Sequence, residues 1–266
     1  MKLELILKSS EVEHIIKHIP YKCFVKKEAD FFRICFPVKE KKEIDPILRF
    51  VDQRLRKEDQ VLNTAIIPEL SSITLSCGFK VTFVESSNRK QSKKREILLK
   101  RGLAFGGFHP TTVMCLELIE KAIKKKHPNR ILDLGTGSGI LSIMAEKLGA
   151  KDVYAVDIDF NSCLECRENI RLNACSRIKV ICGTEASVKG KFDFIMVNII
   201  FHTLKEILAR INEMLEDNGI LIISGFLASN TVEFIRLLGS GILLDKMEKE
   251  GWGAILWQKK RVMSPF

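Results

Sequence analysis

The stretch RILDLGTGSGILSIMAEKLGAKDVYAVDID, residues 130–159, decides the fold. An apolar run, RILDL, ends in three glycines, Gly135, Gly137 and Gly139. Apolar residues at helical spacing follow in GILSIMAEKLGA, and a second apolar run, DVYAVDID, closes on acids. The pattern reads strand, turn, helix, strand, with the glycines where the strand hands over to the helix. Glycines there let the backbone turn tightly and approach a ligand without a Cβ, and the helix N-terminus offers unpaired N–H groups.

The same alternation continues outward. TTVMCLELIEKAIKKK precedes the stretch with helical spacing; the helix FNSCLECRENIRLNA, the strands IKVICG and FDFIMVNII, the helix HTLKEILARINEMLED and the strand GILIISG follow it. Strands alternating with helices pair in parallel through right-handed crossovers, so the expected class is α/β, a doubly wound, mostly parallel sheet covered on both faces. GILLDKMEKEGWGAILWQKK adds two strand-like segments suited to an antiparallel edge.

The first third is different. KLELIL and FFRICFPV read as strands, and SSEVEHIIKHI and DPILRFVDQRLRKE have helical spacing, which makes a small N-terminal α/β domain. ITLSCGFKVTFVE reads as two short strands, and SSNRKQSKKRE, with no apolar residue from Ser86 to Glu96, reads as a basic linker. The expected division is 1–60, a small α/β domain that recognises substrate; 61–97, connecting strands and linker; and 98–266, the main domain.

Composition narrows the class. With 266 residues, 46% of them hydrophobic, the chain can bury a large core. No apolar run approaches the roughly 20 residues of a membrane span, and the N-terminus is too polar for a signal peptide, so a cytoplasmic protein with no membrane partner is expected. The eight cysteines sit mostly singly among apolar neighbours, the usage of reduced core thiols. Cys163 and Cys166 form a C-x-x-C pair, but inside a predicted helix and without a second pair, so core packing rather than a metal site is expected. The net charge is +10, and the first 100 residues hold 21 Lys plus Arg against 14 Asp plus Glu. This basic third suits either weak contact with RNA or a ribosome, or a solubilising surface.

The candidate site gathers at the strand ends. Asp157, 22 residues after Gly135, is placed to accept the hydroxyls of a ribose. The G-x-G-x-G spacing is narrower than the G-x-G-x-x-G that admits a pyrophosphate, and Asp133 puts a carboxylate where a cationic amino group can bind. A ribose, an adenine, an ammonium and no phosphate describe S-adenosylmethionine. Asn198, emerging from the apolar run FIMV, either positions the reacting group by its carbonyl or caps the next helix. His109, in GLAFGGFHPTT at 102–112, is either a base near neutral pH or a residue that holds its loop.

GLAFG with HPTT, ILDLGTGSGILSI, LGAKDVYAVDID, ENIRLN, VNII and ISGFL together resemble the bacterial methyltransferases of the PrmA type, which methylate a large-subunit ribosomal protein. The resemblance covers about residues 98–257. It implies a seven-stranded class I methyltransferase sheet, S-adenosylmethionine as donor, protein amino groups (lysine side chains or an N-terminus) as acceptors, and cofactor contacts from Thr112, Gly135, Asp157 and Asn198. The opening motif is one residue shorter than the family's usual A-F-G-T-G-x-H-x-T-T. Tryptophans usual in the family's first third are missing, since Trp252 and Trp257 both lie near the C-terminus. Lysine methylation of another protein, base methylation with Phe201 as a stacking platform, and a binding module that has lost catalysis stay open as alternatives.

Overall fold

The computed structural model describes residues 2–8, 18–28, 31–37, 41–52, 60–67, 72–84, 92–100 and 108–261. They fall into two compact units, Met1–Leu70 and Ser71–Phe266.

The first unit is built on a four-stranded antiparallel sheet in the order β2-β3-β1-β4, with β1 Lys2–Lys8, β2 Phe24–Glu28, β3 Phe31–Pro37 and β4 Gln60–Ile67. Leu3, Leu5 and Leu7 alternate along β1 and are buried with Ile34 and Phe36 of β3, the period of two expected where one sheet face is covered. The cover is α1, Ile44–Asp52, whose Ile44, Ile47 and Val51 recur at helical spacing in the same cluster. β4 lies in the region read from sequence as connecting, and pairs with β1. The helix expected at 9–19 falls almost wholly outside the described residues.

The second unit holds a three-stranded sheet, β5 Ser72–Thr74, β6 Lys80–Val84 and β7 Glu96–Lys100, and a seven-stranded one in the order β10-β9-β8-β11-β12-β14-β13. Its strands are β8 Arg130–Leu134, β9 Asp152–Asp157, β10 Ile178–Cys182, β11 Phe192–Asn198, β12 Leu215–Leu227, β13 Gly241–Lys249 and β14 Trp252–Lys259. The pairs among β10, β9, β8, β11 and β12 are parallel, and β14 and β13 add the antiparallel edge.

Successive residues of one strand feed opposite cores. On β11, Phe194 and Met196 join a cluster with α2 Pro110–Lys126, α3 Ile140–Lys147 and α4 Phe160–Leu172. Ile195 and Val197 join another with α5 Phe201–Met214 and α6 Thr231–Leu238. That two-sided burial is why the strands read as continuous apolar runs, and the doubly wound, mostly parallel seven-stranded sheet is as expected.

One boundary differs. The helix expected to run through Asp217 ends at Met214. Lys259 Nζ donates to the carbonyls of Asn212 and Leu215, at 2.7 and 3.0 Å, and so satisfies the helix end from β14. Leu215 pairs with Phe192 while Ile220 pairs with Phe194, so residues 216–219 bulge from β12, with Asn218 at φ +62°.

Candidate functional site

In an open α/β sheet, ligands sit beyond the carboxyl ends of the parallel strands, and the sequence-predicted residues meet there. β8 delivers Asp133 and the glycine turn, β9 delivers Asp157, and β11 delivers Asn198.

The turn is anchored by Gly135 N–H and Thr136 N–H, which both donate to Val156 O at 2.8 and 2.9 Å. Gly135, Gly137 and Gly139 have φ of +74°, +56° and +81°, a left-handed path that side-chain-bearing residues avoid. Two of them also face protein. A Cβ on Gly135 would lie 2.3 Å from Ile199 Cγ2, and one on Gly139 would lie 2.6 Å from Cys166 Sγ. The turn's shape is therefore set by packing as well as by room for a ligand. Of the C-x-x-C pair, Cys166 takes part in that packing; Cys163 is buried with its thiol 3.4 Å from Asp157 O, and burial pushes that thiol up to about 12.

Asp133 is fully buried. Its Oδ2 accepts from Thr136 Oγ1 at 2.7 Å and from Ser142 N and Oγ at 3.1 and 2.7 Å, while Oδ1 has no partner among the described residues. Burial pushes its pKa up to about 6, against the pull of those hydrogen bonds. A carboxylate half satisfied in this way is suited to a cationic or donating ligand.

Asp157 accepts from Gly137 N at 2.8 Å on Oδ2 and from Asp159 N at 2.9 Å on Oδ1, so it shapes the turn directly. Each oxygen keeps a further lone pair for a diol. Ile158, which follows, is 77% exposed.

Asn198 ends β11, and its Nδ2 donates to Thr112 Oγ1 at 3.3 Å. Among the described residues its Oδ1 is buried without a partner, as is Ser138 Oγ in the turn. Buried oxygens left in this way around a glycine turn are a cost in the fold unless a ligand supplies partners.

Thr112 stands in the first turn of α2, one residue after the N1–N2 segment that His109 caps. His109 Nδ1 accepts from Thr111 N at 3.3 Å and lies 2.8 Å from Thr111 Oγ1, and its ring meets Trp252 edge-on with centroids 5.0 Å apart. With Nδ1 accepting, the ring lone pair is used by the cap and a neutral ring carries its proton on Nε2. The rest of the loop read as lying over the site, residues 102–107, is outside the described residues. Phe201 opens α5 with its ring edge-on to Phe234 at 5.1 Å and beneath Lys205, a packed position rather than a stacking platform.

Two residues of the site carried no separate reading in the sequence. Gly225, at φ +100°, is the extra residue of a bulge between Ser224 and Phe226, and a Cβ there would lie 1.8 Å from Ile199 O. Asn169 joins the glycine turn to β7. A glycine after an apolar strand was the available signal for the first. The second is a polar residue on the buried face of its helix.

Residues 73–260 match the sequence profile of the ribosomal protein L11 methyltransferases (PrmA). A ribosomal protein L11 methyltransferase of Thermoanaerobacter pseudethanolicus is 37% identical over 191 residues, 70% of this chain, which span 61% of that relative's length. One of Aquifex aeolicus is 37% identical over 185 residues, 68% of this chain and 73% of the relative. Among solved structures, a ribosomal protein L11 methylase from Lactobacillus delbrueckii subsp. bulgaricus is similar at a TM-score of 0.63 and 32% identity, over 72% of this chain and 100% of that one. An M. jannaschii tRNA m1G37 methyltransferase matches at a TM-score of 0.52 over 98% of this chain and 100% of that one, but at 12% identity, a likeness of fold alone.

Proposed function

Since the chain belongs to the ribosomal protein L11 methyltransferase (PrmA) family, we propose that it transfers methyl groups from S-adenosylmethionine to amino groups of a ribosomal protein. The observation that carries the cofactor is the set of buried oxygens on Asp133, Ser138 and Asn198 that have no partner among the described residues, around a left-handed glycine turn. Asp133 Oδ1 is the acceptor for an ammonium, Asp157 for the ribose hydroxyls, and the glycine turn supplies backbone approach. The acceptor class rests on the relatives' names.

When bound, the cofactor supplies an electrophilic methyl on a sulfonium, already activated for displacement. What remains for the chain is alignment, water exclusion and a neutral amine. Alignment alone is worth about 7 to 11 kcal/mol in favourable intramolecular reactions. Asn198, held by Thr112, directs its carbonyl oxygen to the acceptor N–H, orienting the amine lone pair. A lysine acceptor loses its proton to solvent as desolvation lowers its pKa, so no dedicated base is required. His109 acts as a helix cap that places Thr112 rather than as that base.

The first unit docks the protein substrate, a reading supported by its separate sheet and the basic linker that follows it. The chain works in the cytoplasm; no helix among the described residues is long and apolar enough to cross a membrane.

The test is mass spectrometry of purified large-subunit ribosomal protein L11, and of bulk ribosomal protein and RNA, incubated with the chain and methyl-labelled S-adenosylmethionine. Methyl groups on amines of the ribosomal protein are expected. Label confined to RNA, or no label at all, defeats the proposal.

A further inference from the structure

Asn169 lies in the last turn of α4 and Asn173, four residues on, is its C-cap; both side chains are buried and turn to the same strand. An amide side chain carries one acceptor and a pair of donors, so it can replace a peptide group in a hydrogen-bond ladder. Here two of them do so along one strand. Asn173 Oδ1 accepts from Leu98 N at 3.0 Å, and its Nδ2 donates to Leu98 O at 2.7 Å and to Asn169 O at 2.8 Å. Asn169 Oδ1 accepts from Lys100 N at 2.8 Å. β7 thus has β6 on one edge and a ladder of asparagine side chains on the other.

The donor side of Asn169 goes elsewhere. Its Nδ2 donates to Ser138 O at 2.8 Å, inside the glycine turn. The next peptide N–H, that of Gly139, donates to Thr136 O at 2.9 Å. The Ser138–Gly139 peptide is therefore fixed at both of its polar ends, and one of those ends is held by a side chain from α4.

We propose that Asn169 is a positioning residue for the cofactor turn: by holding Ser138 O it fixes the Ser138–Gly139 peptide in the conformation that receives the ligand, while its other end ties that turn to β7. Asn173, which makes two bonds to the same strand where Asn169 makes one, does not reach the turn. The inference rests on the cofactor reading above for its ligand, but its geometry does not.

Asp at either position keeps the shape and the acceptor and removes the donor. N169D opposes a carboxylate to Ser138 O; N173D opposes one to Leu98 O and Asn169 O. Both variants are expected to melt below the wild type. Only N169D is expected to weaken binding of S-adenosylhomocysteine, by tenfold or more in Kd by calorimetry, and to speed hydrogen exchange at the Gly139 amide; N173D should leave both within twofold. N169D binding within twofold of wild type, or N173D losing affinity in the same proportion to its loss of Tm, overturns the assignment. If the wild type itself does not bind S-adenosylhomocysteine, the cofactor reading fails and the Gly139 exchange rate decides the positioning role alone. Should N169D not fold, N169S, which keeps a donor but shortens it, is measured in its place with the same two readouts.

Discussion

Asn198 and Thr112, 86 residues apart in the chain, meet through a side-chain hydrogen bond of 3.3 Å that leaves the Asn198 carbonyl oxygen buried and unspent. The hydroxyl tethers the amide through Nδ2 and leaves Oδ1 pointing elsewhere. Thr112→Val removes the tether without much change in volume. We expect kcat to fall about 10- to 100-fold, in the range of 1.4 to 3 kcal/mol for a misdirected hydrogen bond, with cofactor Kd changed much less. Asn198→Ala should cost at least as much in kcat. Steady-state methylation kinetics with parallel calorimetry separate the two effects, and an unchanged kcat in both variants removes Asn198 from the chemistry.

Asp133 makes a prediction about pH. Its pKa in the fold, about 6, lies above its ordinary 3.8, so between those values the native state holds a proton that the unfolded chain has released. Its contribution to stability is fully present below pH ~4 and is lost as pH rises through about 6, by no more than about 3 kcal/mol. A cationic ligand group at Oδ1 favours the ionised form, so affinity for S-adenosylmethionine should rise with pH and level off above about 6. Asp133→Asn should flatten both profiles, as read by urea melts and calorimetry between pH 4 and 8.

His109 separates a cap from a base. Asparagine is a good N-cap, able to accept from the same backbone N–H, but cannot take up a proton near neutrality. His109→Asn is expected to keep kcat within about threefold, while His109→Ala loses about 1 kcal/mol of stability with the cap. A hundredfold fall in kcat for the asparagine variant, with its melting temperature intact, would return the ring to catalysis.

Gly135→Ala combines two penalties. The left-handed φ of +74° costs about 1 to 2 kcal/mol, and the methyl group 2.3 Å from Ile199 Cγ2 adds about 1 to 3 kcal/mol of overpacking. Gly251, at φ +79° with nothing within 4 Å of a Cβ, is the control that pays only for the backbone. Denaturant midpoints should therefore fall further for Gly135→Ala than for Gly251→Ala. Equal losses would mean that Ile199 moves aside freely.

Much of this fold is legible in the chain because both sheet faces are covered. Phe194, Ile195, Met196 and Val197 are all buried, so β11 announces itself as an unbroken apolar run. The polar residues that interrupt such runs at their ends, Asp133, Asp157 and Asn198, are legible for the same reason. What escaped is decided by distant partners. The helix that stops at Met214 does so with a lysine from β14, and Asn169 looks like any helix-surface amide until Lys100 and Ser138 are placed beside it. Asp133 is legible as a site residue but not as one whose Oδ2 is spent on Thr136 and Ser142.

Ile199 lies between two glycines, one in the turn after β8 and one in β12: its side chain occupies the space a Cβ on Gly135 would need, and its carbonyl the space a Cβ on Gly225 would need. For anyone redesigning this end of the sheet for a new ligand, positions 135, 199 and 225 form one inherited block. A library that randomises Ile199 because it neighbours Asn198 will mostly sample broken strand exits, whereas the exposed Ile158 rim offers variation without that penalty.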